Sequence, residues 1–291
     1  MLNASPLQRR RLLALGALAG LAPLARAAAP AHRIISIGGA LTELIYALGA
    51  QEQLVGVDGT SLYPAAATKL PHVGYARTLA AEGLLSLAPT LIVATEEAGP
   101  PPVLRQLEAA RVPLHVLRSD YRFEGVVERG LRLGELLGHP AEAQALLARL
   151  KAEWAGCQQQ VAKLRAGHAA PRVLFVMSHA MNQVRIGGQD TGADAMIAYA
   201  GGANALQGFK GYKGLTPEAA IAAAPDVILA TSQGLDTAGG VAGLLKVPGL
   251  AQTPAGAARR VIALETMELL GFGPRLPQAV ARLAEQLHKA A

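Results

Sequence analysis

Cysteine is almost missing from this chain of 291 residues; Cys157 stands alone. No internal disulfide can form, and no Cys/His cluster of zinc-finger type exists. Cys157 falls in a helical pattern, where a plain buried or half-buried thiol is expected. Aromatics are scarce as well, at 4%, so the core has to come from aliphatic side chains, which abound in a chain that is 51% hydrophobic. The histidines show no H-x-x-x-H spacing, which argues against a zinc or manganese site. G-x-G-x-x-G, a P-loop Lys-Ser/Thr and a G-x-S-x-G elbow are also missing, which removes the usual signatures of dinucleotide binding, nucleotide hydrolysis and serine hydrolysis. Ser178 and His179 adjoin, but neighbours on a strand point to opposite sides and make a poor nucleophile–base pair. Asp58, Asp120 and Asp194, the remaining candidate bases, show no pairing.

The first 27 residues lack acids. They hold Arg9, Arg10, Arg11 and Arg26, then an apolar run from Leu12 to about Leu24, then Ala25-Arg26-Ala27. A basic start, a short apolar stretch and an A-x-A site are the layout of a cleavable secretory signal, expected over 1–27. The run is too short for a membrane span, and Pro23 and Arg26 interrupt it. The arginine run also faintly matches a twin-arginine signal, so either export route stays open. No cysteine lies near the cleavage site, so lipid anchoring is not expected. Removing those four arginines takes the net charge from +6 to +2, so the basic pI does not argue for nucleic acid. A soluble, monomeric, periplasmic protein is the expectation.

Beyond the leader, β-rich runs alternate with helical ones. "RIISI" ends in Gly38-Gly39, "ALTELIYALGA" has helical spacing and stops at Gly49, and "LVGVD" is again a strand. "GLLSLAPTLIVAT" and "PPVLRQLEAARVPLHVL" each read as helix then strand. This order predicts an α/β unit with a mostly parallel sheet. From Glu124 to Arg165 the periodicity is helical, with a break at Gly138-His139-Pro140, and part of it should be one long helix.

Then the opening pattern returns. "RVLFV" echoes "RIISI". Residues 80–95, "AAEGLLSLAPTLIVAT", align without gaps on 216–231, "TPEAAIAAAPDVILAT", with six identities in sixteen, among them Glu82/Glu218, Pro89/Pro225 and Thr95/Thr231. A repeat fixes architecture. The expectation is a leader at 1–27, an α/β lobe at 28–123, a helical connector at 124–169 and a second α/β lobe at 170–291. Two lobes leave a cleft suited to a small ligand. A rigid helical connector favours limited lobe motion.

"LPHVGYARTLAAEGLLSLAPTLIVAT" holds Tyr75 and, two residues on, Arg77. By spacing alone this also fits a loop tyrosine beside a solvated arginine. Taken with "RIISIGGALTELIYALGA" and the Gly-Phe-Gly-Pro-Arg motif of "LLGFGPRLPQAV", the chain resembles the periplasmic haem-binding proteins of bacterial haem ABC transporters over nearly all its mature length. The resemblance implies two Rossmann-like lobes with mostly parallel sheets joined by a single long helix, the class III periplasmic binding protein architecture. It also implies that Tyr75 is the axial ligand of haem iron and that Arg77 hydrogen-bonds its phenolate oxygen. The chemistry is coherent. Free tyrosine is protonated at neutral pH, its pKa being about 10, whereas hard ferric iron prefers anionic oxygen. Coordination favours proton loss, and a fixed guanidinium stabilises the anion. The i, i+2 spacing is expected to put both side chains on one side of an extended segment.

His179, at the C-terminal end of the first strand of lobe two, is a candidate second ligand, or else a loop histidine bonded to backbone. Haem carries two propionates, for which Lys69, Arg118, Arg185, Lys210 and Lys213 are available cations. Tyr212 either lines the pocket or belongs to the core. Glu82 and Glu218 occupy matching places, each at the start of a short helix. There a carboxylate is favourable to the helix dipole, and in the wider family matching glutamates dock onto arginines of two permease subunits. The implied partners are haem, the permease of an inner-membrane importer and, upstream, an outer-membrane haem receptor; haem is cargo and not a catalytic cofactor. A ferric siderophore or a corrinoid on the same fold is the nearest alternative. An exported haem-modifying or metal-dependent enzyme is the alternative from another class.

Overall fold

The computed structural model describes residues 32–178 and 184–290. The leader expected over 1–27 and the candidate ligand His179 lie outside the described residues.

The first half builds β1 (Ile34–Ile37), α1 (Gly39–Ala47), β2 (Leu54–Val57), α2 (Ala81–Leu85), β3 (Leu91–Thr95), α3 (Pro101–Ala109) and β4 (Leu114–Leu117). Its sheet has the order β2-β1-β3-β4, parallel throughout. Such a sheet is covered on both faces, so its inner strands are nearly continuous apolar runs, with Ser36 in β1 and Thr95 at the end of β3 as the polar positions; β1 and β3 are buried at every residue.

Two helices follow, α4 (Phe123–Leu137) and α5 (Pro140–Arg165), the latter of 26 residues. Gly138 ends α4 in the left-handed region at φ 77° and Pro140 opens α5, which is the break that the sequence marks.

The second half contains β5 (Arg172–Ser178), β6 (Val184–Gly187), α6 (Gly192–Tyr199), β7 (Ala203–Asn204), β8 (Tyr212–Gly214), α7 (Pro217–Ala223), β9 (Val227–Thr231), α8 (Ser232–Thr237), α9 (Gly240–Leu244), α10 (Pro254–Ala257), β10 (Val261–Leu264), α11 (Thr266–Leu270) and α12 (Leu276–Ala290). Its sheet runs β10-β9-β5-β6-β8, with β7 also on β5. The sheets are mostly parallel, as expected: in this one β10–β9, β9–β5 and β5–β7 pair in parallel, and only β5–β6 and β6–β8 pair antiparallel. Five residues separate β5 from β6, too few for the crossover that a parallel neighbour needs.

Alternation along the strands sorts the core. Ile34, Leu91 and Val93 from the first sheet, with Val173, Phe175, Val227 and Leu229 from the second, join α1, α4, α5 and α12 in one cluster. Their neighbours Ile35, Ile37, Ile92 and Ala94 face the other way into a second cluster, and Leu174, Val176, Ile228 and Ala230 into a third. The connector helices therefore share one continuous apolar core with both sheets.

The repeat is present in the backbone as well as the sequence. Ala88 and Ala224, both just before proline, have φ of 46° and 40°. The Thr90 amide donates to the Arg33 carbonyl, as the Asp226 amide does to the Arg172 carbonyl. Arg33 Nη2 donates to the Leu87 carbonyl at 2.8 Å, and Arg172 Nη2 to that of Ala223 at 2.7 Å. These pairs fall on equivalent positions of the two aligned stretches.

Candidate functional site

In open α/β sheets ligands collect beyond the carboxyl ends of the strands, and that is where the sequence places its densest chemistry. The segment after β2 turns back and pairs His72 with Val57 in parallel. Gly59 N–H donates to the Gly74 carbonyl, Gly99 N–H to that of Ala76, and Leu79 N–H to that of Gly99, each at 2.9 Å. Val73, Ala76 and Leu79 are buried beneath. The loop is thus fastened by backbone bonds and by these three buried side chains, leaving Tyr75 44% exposed.

Tyr75 and Arg77 do meet, but not on an extended segment. The Thr78 amide donates to the Tyr75 carbonyl at 2.8 Å, closing a turn over 75–78. The turn brings Arg77 Nη1 to 2.5 Å from the Tyr75 oxygen. The other arm, Nη2, pairs with Glu97 at 2.7 Å. Burial works against the Arg77 charge, but Glu97 and Tyr75 outweigh it and hold the guanidinium above its ordinary range.

Sequence reasoning missed three members of this group. Glu97 lies two residues beyond β3. Tyr121, beyond β4, is near enough to feel both Glu97 and Arg77; burial raises its phenol, Glu97 adds to the rise and Arg77 opposes it. Phe272 packs against Tyr121 with ring centroids 5.4 Å apart. Glu97 and Tyr121 were recoverable from the rule that strand ends face the ligand. Phe272 was not, because it reaches Tyr121 from across the chain.

Tyr212 enters from the second half. It packs against Phe175 at 6.3 Å, and burial drives its phenol up to about 12, with Tyr121 adding to the rise and the Thr191 hydroxyl and Ala193 amide opposing it. It has its own partners in Thr191 and Ala193 and packs partly against the core, near enough to Tyr121 to feel it. Of the five cations singled out, Arg185 donates to the Tyr212 carbonyl, Lys210 pairs with Asp190 and Lys213 sits 3.8 Å from the Phe209 ring centre. Lys69 is exposed in the turn preceding His72, and among the described residues no hydrogen bond or ion pair ties it to Tyr75. Arg118 is exposed just beyond β4, three residues before Tyr121.

The Gly-Phe-Gly-Pro-Arg motif has a different task. Phe272 adopts φ 51° and offers its carbonyl to buried Arg129 at 2.7 Å. Arg275 reaches into the first half and bonds both oxygens of Glu43 on α1. It also pairs with Glu265 at 2.9 Å and lies 4.1 Å from the Tyr63 ring centre. Burial pushes the Glu43 carboxyl up, against the pull of Arg275. Burial also opposes the Arg275 charge, but Glu43 and Glu265 outweigh it and raise the guanidinium. The motif joins the halves, which is a structural task.

Glu82 and Glu218 are both exposed in the first turns of α2 and α7. Among the described residues neither forms an ion pair. A concavity of about 240 Å³ lies along α5, lined by Trp154, Cys157, Val161, Arg165, Tyr199 and Val280. It is smaller than the ~300–1,000 Å³ of ordinary ligand pockets and holds no group of the Tyr75 cluster, so the chemistry places the site at the strand ends instead. Cys157 is buried there. No helix among the described residues is long and apolar enough to cross a membrane.

Two α/β sheets, a helical connector in their shared core and a polar, aromatic group at the strand ends define a two-lobe ligand-binding protein. The family model described as "Periplasmic binding protein" matches residues 34–266, and the chain belongs to that family, a family of binding proteins. Among solved structures it is similar to the periplasmic haem-binding protein BhuT in complex with two haems: 47% identity, TM-score 0.85, over 89% of this chain and 98% of that one. It is also similar to the periplasmic haem-binding protein RhuT from Roseiflexus sp. RS-1 in apo form: 42% identity, TM-score 0.86, 89% and 99%. Among curated proteins it is 32% identical over 160 residues to a vitamin B12-binding protein of Pectobacterium atrosepticum, covering 55% of this chain and 57% of that protein. The chain thus spans little more than half the length of that relative.

Proposed function

We propose that this protein captures ferric haem at the strand ends between its two lobes and hands it, chemically unchanged, to an inner-membrane ABC importer. The observation that carries the reading is the Tyr75–Arg77 pair, 2.5 Å apart on an exposed, firmly anchored turn. Ferric porphyrin iron favours a hard anionic ligand, and a phenol held against a permanent cation can supply one. The surrounding Tyr121, Phe272 and Tyr212 suit a flat aromatic ligand. Haem-binding relatives at 47% and 42% identity over nearly their whole length support the same reading.

Arg118 is our choice for a propionate partner: Arg185, Lys210 and Lys213 already have partners, and of the remaining two, Lys69 and Arg118, Arg118 is the one that stands just beyond β4, three residues before Tyr121. His179 remains the proposed second ligand. Export by a cleaved leader at 1–27, lobes at 28–123 and 170–291, and permease docking through Glu82 and Glu218 complete the proposal. One exposed acid per lobe, at equivalent points of a repeat, suits a partner with two-fold symmetry.

A corrinoid is the second reading, favoured by the vitamin B12-binding relative at 32% identity over part of the chain. A corrinoid carries its cobalt already ligated within the ring and needs no phenolate. The test is an absorption titration of the mature protein with hemin and with cyanocobalamin, beside Tyr75→Phe. Hemin should bind with a ferric–phenolate band that the variant lacks. Binding of cyanocobalamin alone, or a hemin spectrum indifferent to Tyr75→Phe, refutes the proposal.

A further inference from the structure

Arg77 is shared. One arm faces the Tyr75 oxygen and the other pairs with Glu97. A guanidinium is planar with its donors in a fixed fork, so fixing one arm orients the other. Glu97 therefore does two things at once. It aims Nη1 at the phenol, and it cancels part of the positive charge that the phenol oxygen would otherwise feel. Its neighbour Glu96 is engaged elsewhere, accepting from the Ser119 amide at 3.2 Å, so Glu97 alone plays this part. The field of Glu97 extends across the site, since it contributes to raising both the Tyr121 and the Tyr212 phenols.

We propose that Glu97 is a positioning residue that sets the donor strength of Tyr75 toward iron by holding Arg77 and sharing its charge. This rests on the haem reading above. A phenolate pulled by a full, unshared guanidinium is a poorer electron donor. It stabilises ferric iron less, and its charge-transfer absorption moves to higher energy. With Glu97 in place the pull is moderated, the phenolate stays electron-rich and the cargo is held oxidised. The residue touches neither iron nor porphyrin in this account; it acts through Arg77.

The experiment loads wild-type protein, Glu97→Gln, Glu97→Asp, Arg77→Gln and the double variant Arg77→Gln/Glu97→Gln with hemin. It reads the phenolate-to-iron band and the haem midpoint potential, with circular dichroism as the check on folding. Glu97→Gln keeps an acceptor for Nη2 but removes the charge. Its band should shift to shorter wavelength and its potential to a more positive value, while Glu97→Asp stays close to wild type. With Arg77 replaced, the Glu97→Gln change should have no further effect of this sign. A Glu97→Gln protein that folds, binds hemin and matches wild type in band and potential overturns the inference while leaving the haem reading intact. A wild-type complex without a phenolate band overturns the haem reading itself, and this inference with it.

Discussion

Removing Arg275 should cost this protein a large part of its stability, although no ligand is touched. Arg275→Met keeps an apolar stem but is shorter and lacks the guanidinium, so it also gives up the contact with the Tyr63 ring. It deletes two hydrogen bonds to Glu43 and one to Glu265. The Glu43 side chain is only 3% exposed, so its carboxylate cannot turn to water. Glu265, at 29%, can. Breaking a buried pair by removing one partner typically costs about 3–5 kcal/mol. That is a sizeable share of the roughly 5–15 kcal/mol that holds a typical domain folded. For a chain of this size it corresponds to a melting temperature lower by roughly 6–20 °C. The assay is urea and thermal denaturation of the unloaded protein by circular dichroism, with the slope checked so that midpoints compare like with like. The decisive partner variant is Glu43→Leu/Arg275→Met. Replacing both charges by apolar groups removes the stranded carboxylate, and such exchanges are often neutral or even stabilising. The double variant should therefore recover most of what the single one loses. A single variant as stable as wild type, or a double variant no better than the single, refutes the argument.

Arg118→Ala should weaken hemin binding by about 1.5–3 kcal/mol, one charge-assisted hydrogen bond, without altering the phenolate band. Unchanged affinity in a hemin titration would remove Arg118 as a propionate partner. Charge reversal at both lobes, Glu82→Lys with Glu218→Lys, should leave hemin binding intact and abolish haem uptake by cells that depend on this protein. Persistent uptake would sink the docking proposal.

Elements with strong period or punctuation were readable from the residues. "RIISI", "LIVAT" and "VILAT" are almost wholly apolar between Arg33 at one start and a Thr at two of the ends, with only Ser36 inside, because both sheet faces are covered, and Gly49, Gly138 and Gly201 mark helix ends at positive φ. The antiparallel edge of the second sheet was not readable, because "VRIG" and "YKG" are too short for period to separate parallel from antiparallel pairing. Tyr75 and Arg77 could be singled out, but not their geometry; the turn at 75–78 depends on bonds to Gly59 and Gly99, distant in sequence. Glu97 could be placed at a strand end from the sequence, but an exposed acid there is common, and its pairing with Arg77 is visible only in the structure. Phe272 and Arg275 were noticed as part of a motif, yet their task depends on Arg129 and Glu43, residues that no local pattern links to them.

The repeat accounts for why the two halves both carry an exposed acid while only the first exposes its tyrosine. Gly74-Tyr75 and Gly211-Tyr212 precede Glu82 and Glu218 at nearly the same spacing, seven residues against six, and both glycines have positive φ, 101° and 75°. In the first half the residues after the glycine form a free turn, so Tyr75 projects outward. In the second half β6 is interposed next to β5, and the corresponding residues become β8, paired antiparallel to it. Pairing fixes which side each residue faces, and Tyr212 is turned toward Phe175, Thr191 and Ala193, where burial keeps it protonated. The helices α2 and α7 that follow are untouched by this difference and keep their acids exposed. One added strand is therefore enough to leave Tyr75 exposed and Tyr212 half-buried while both halves keep an exposed acid, and on the proposed haem reading Tyr212 could serve as a ligand only if β8 left its sheet.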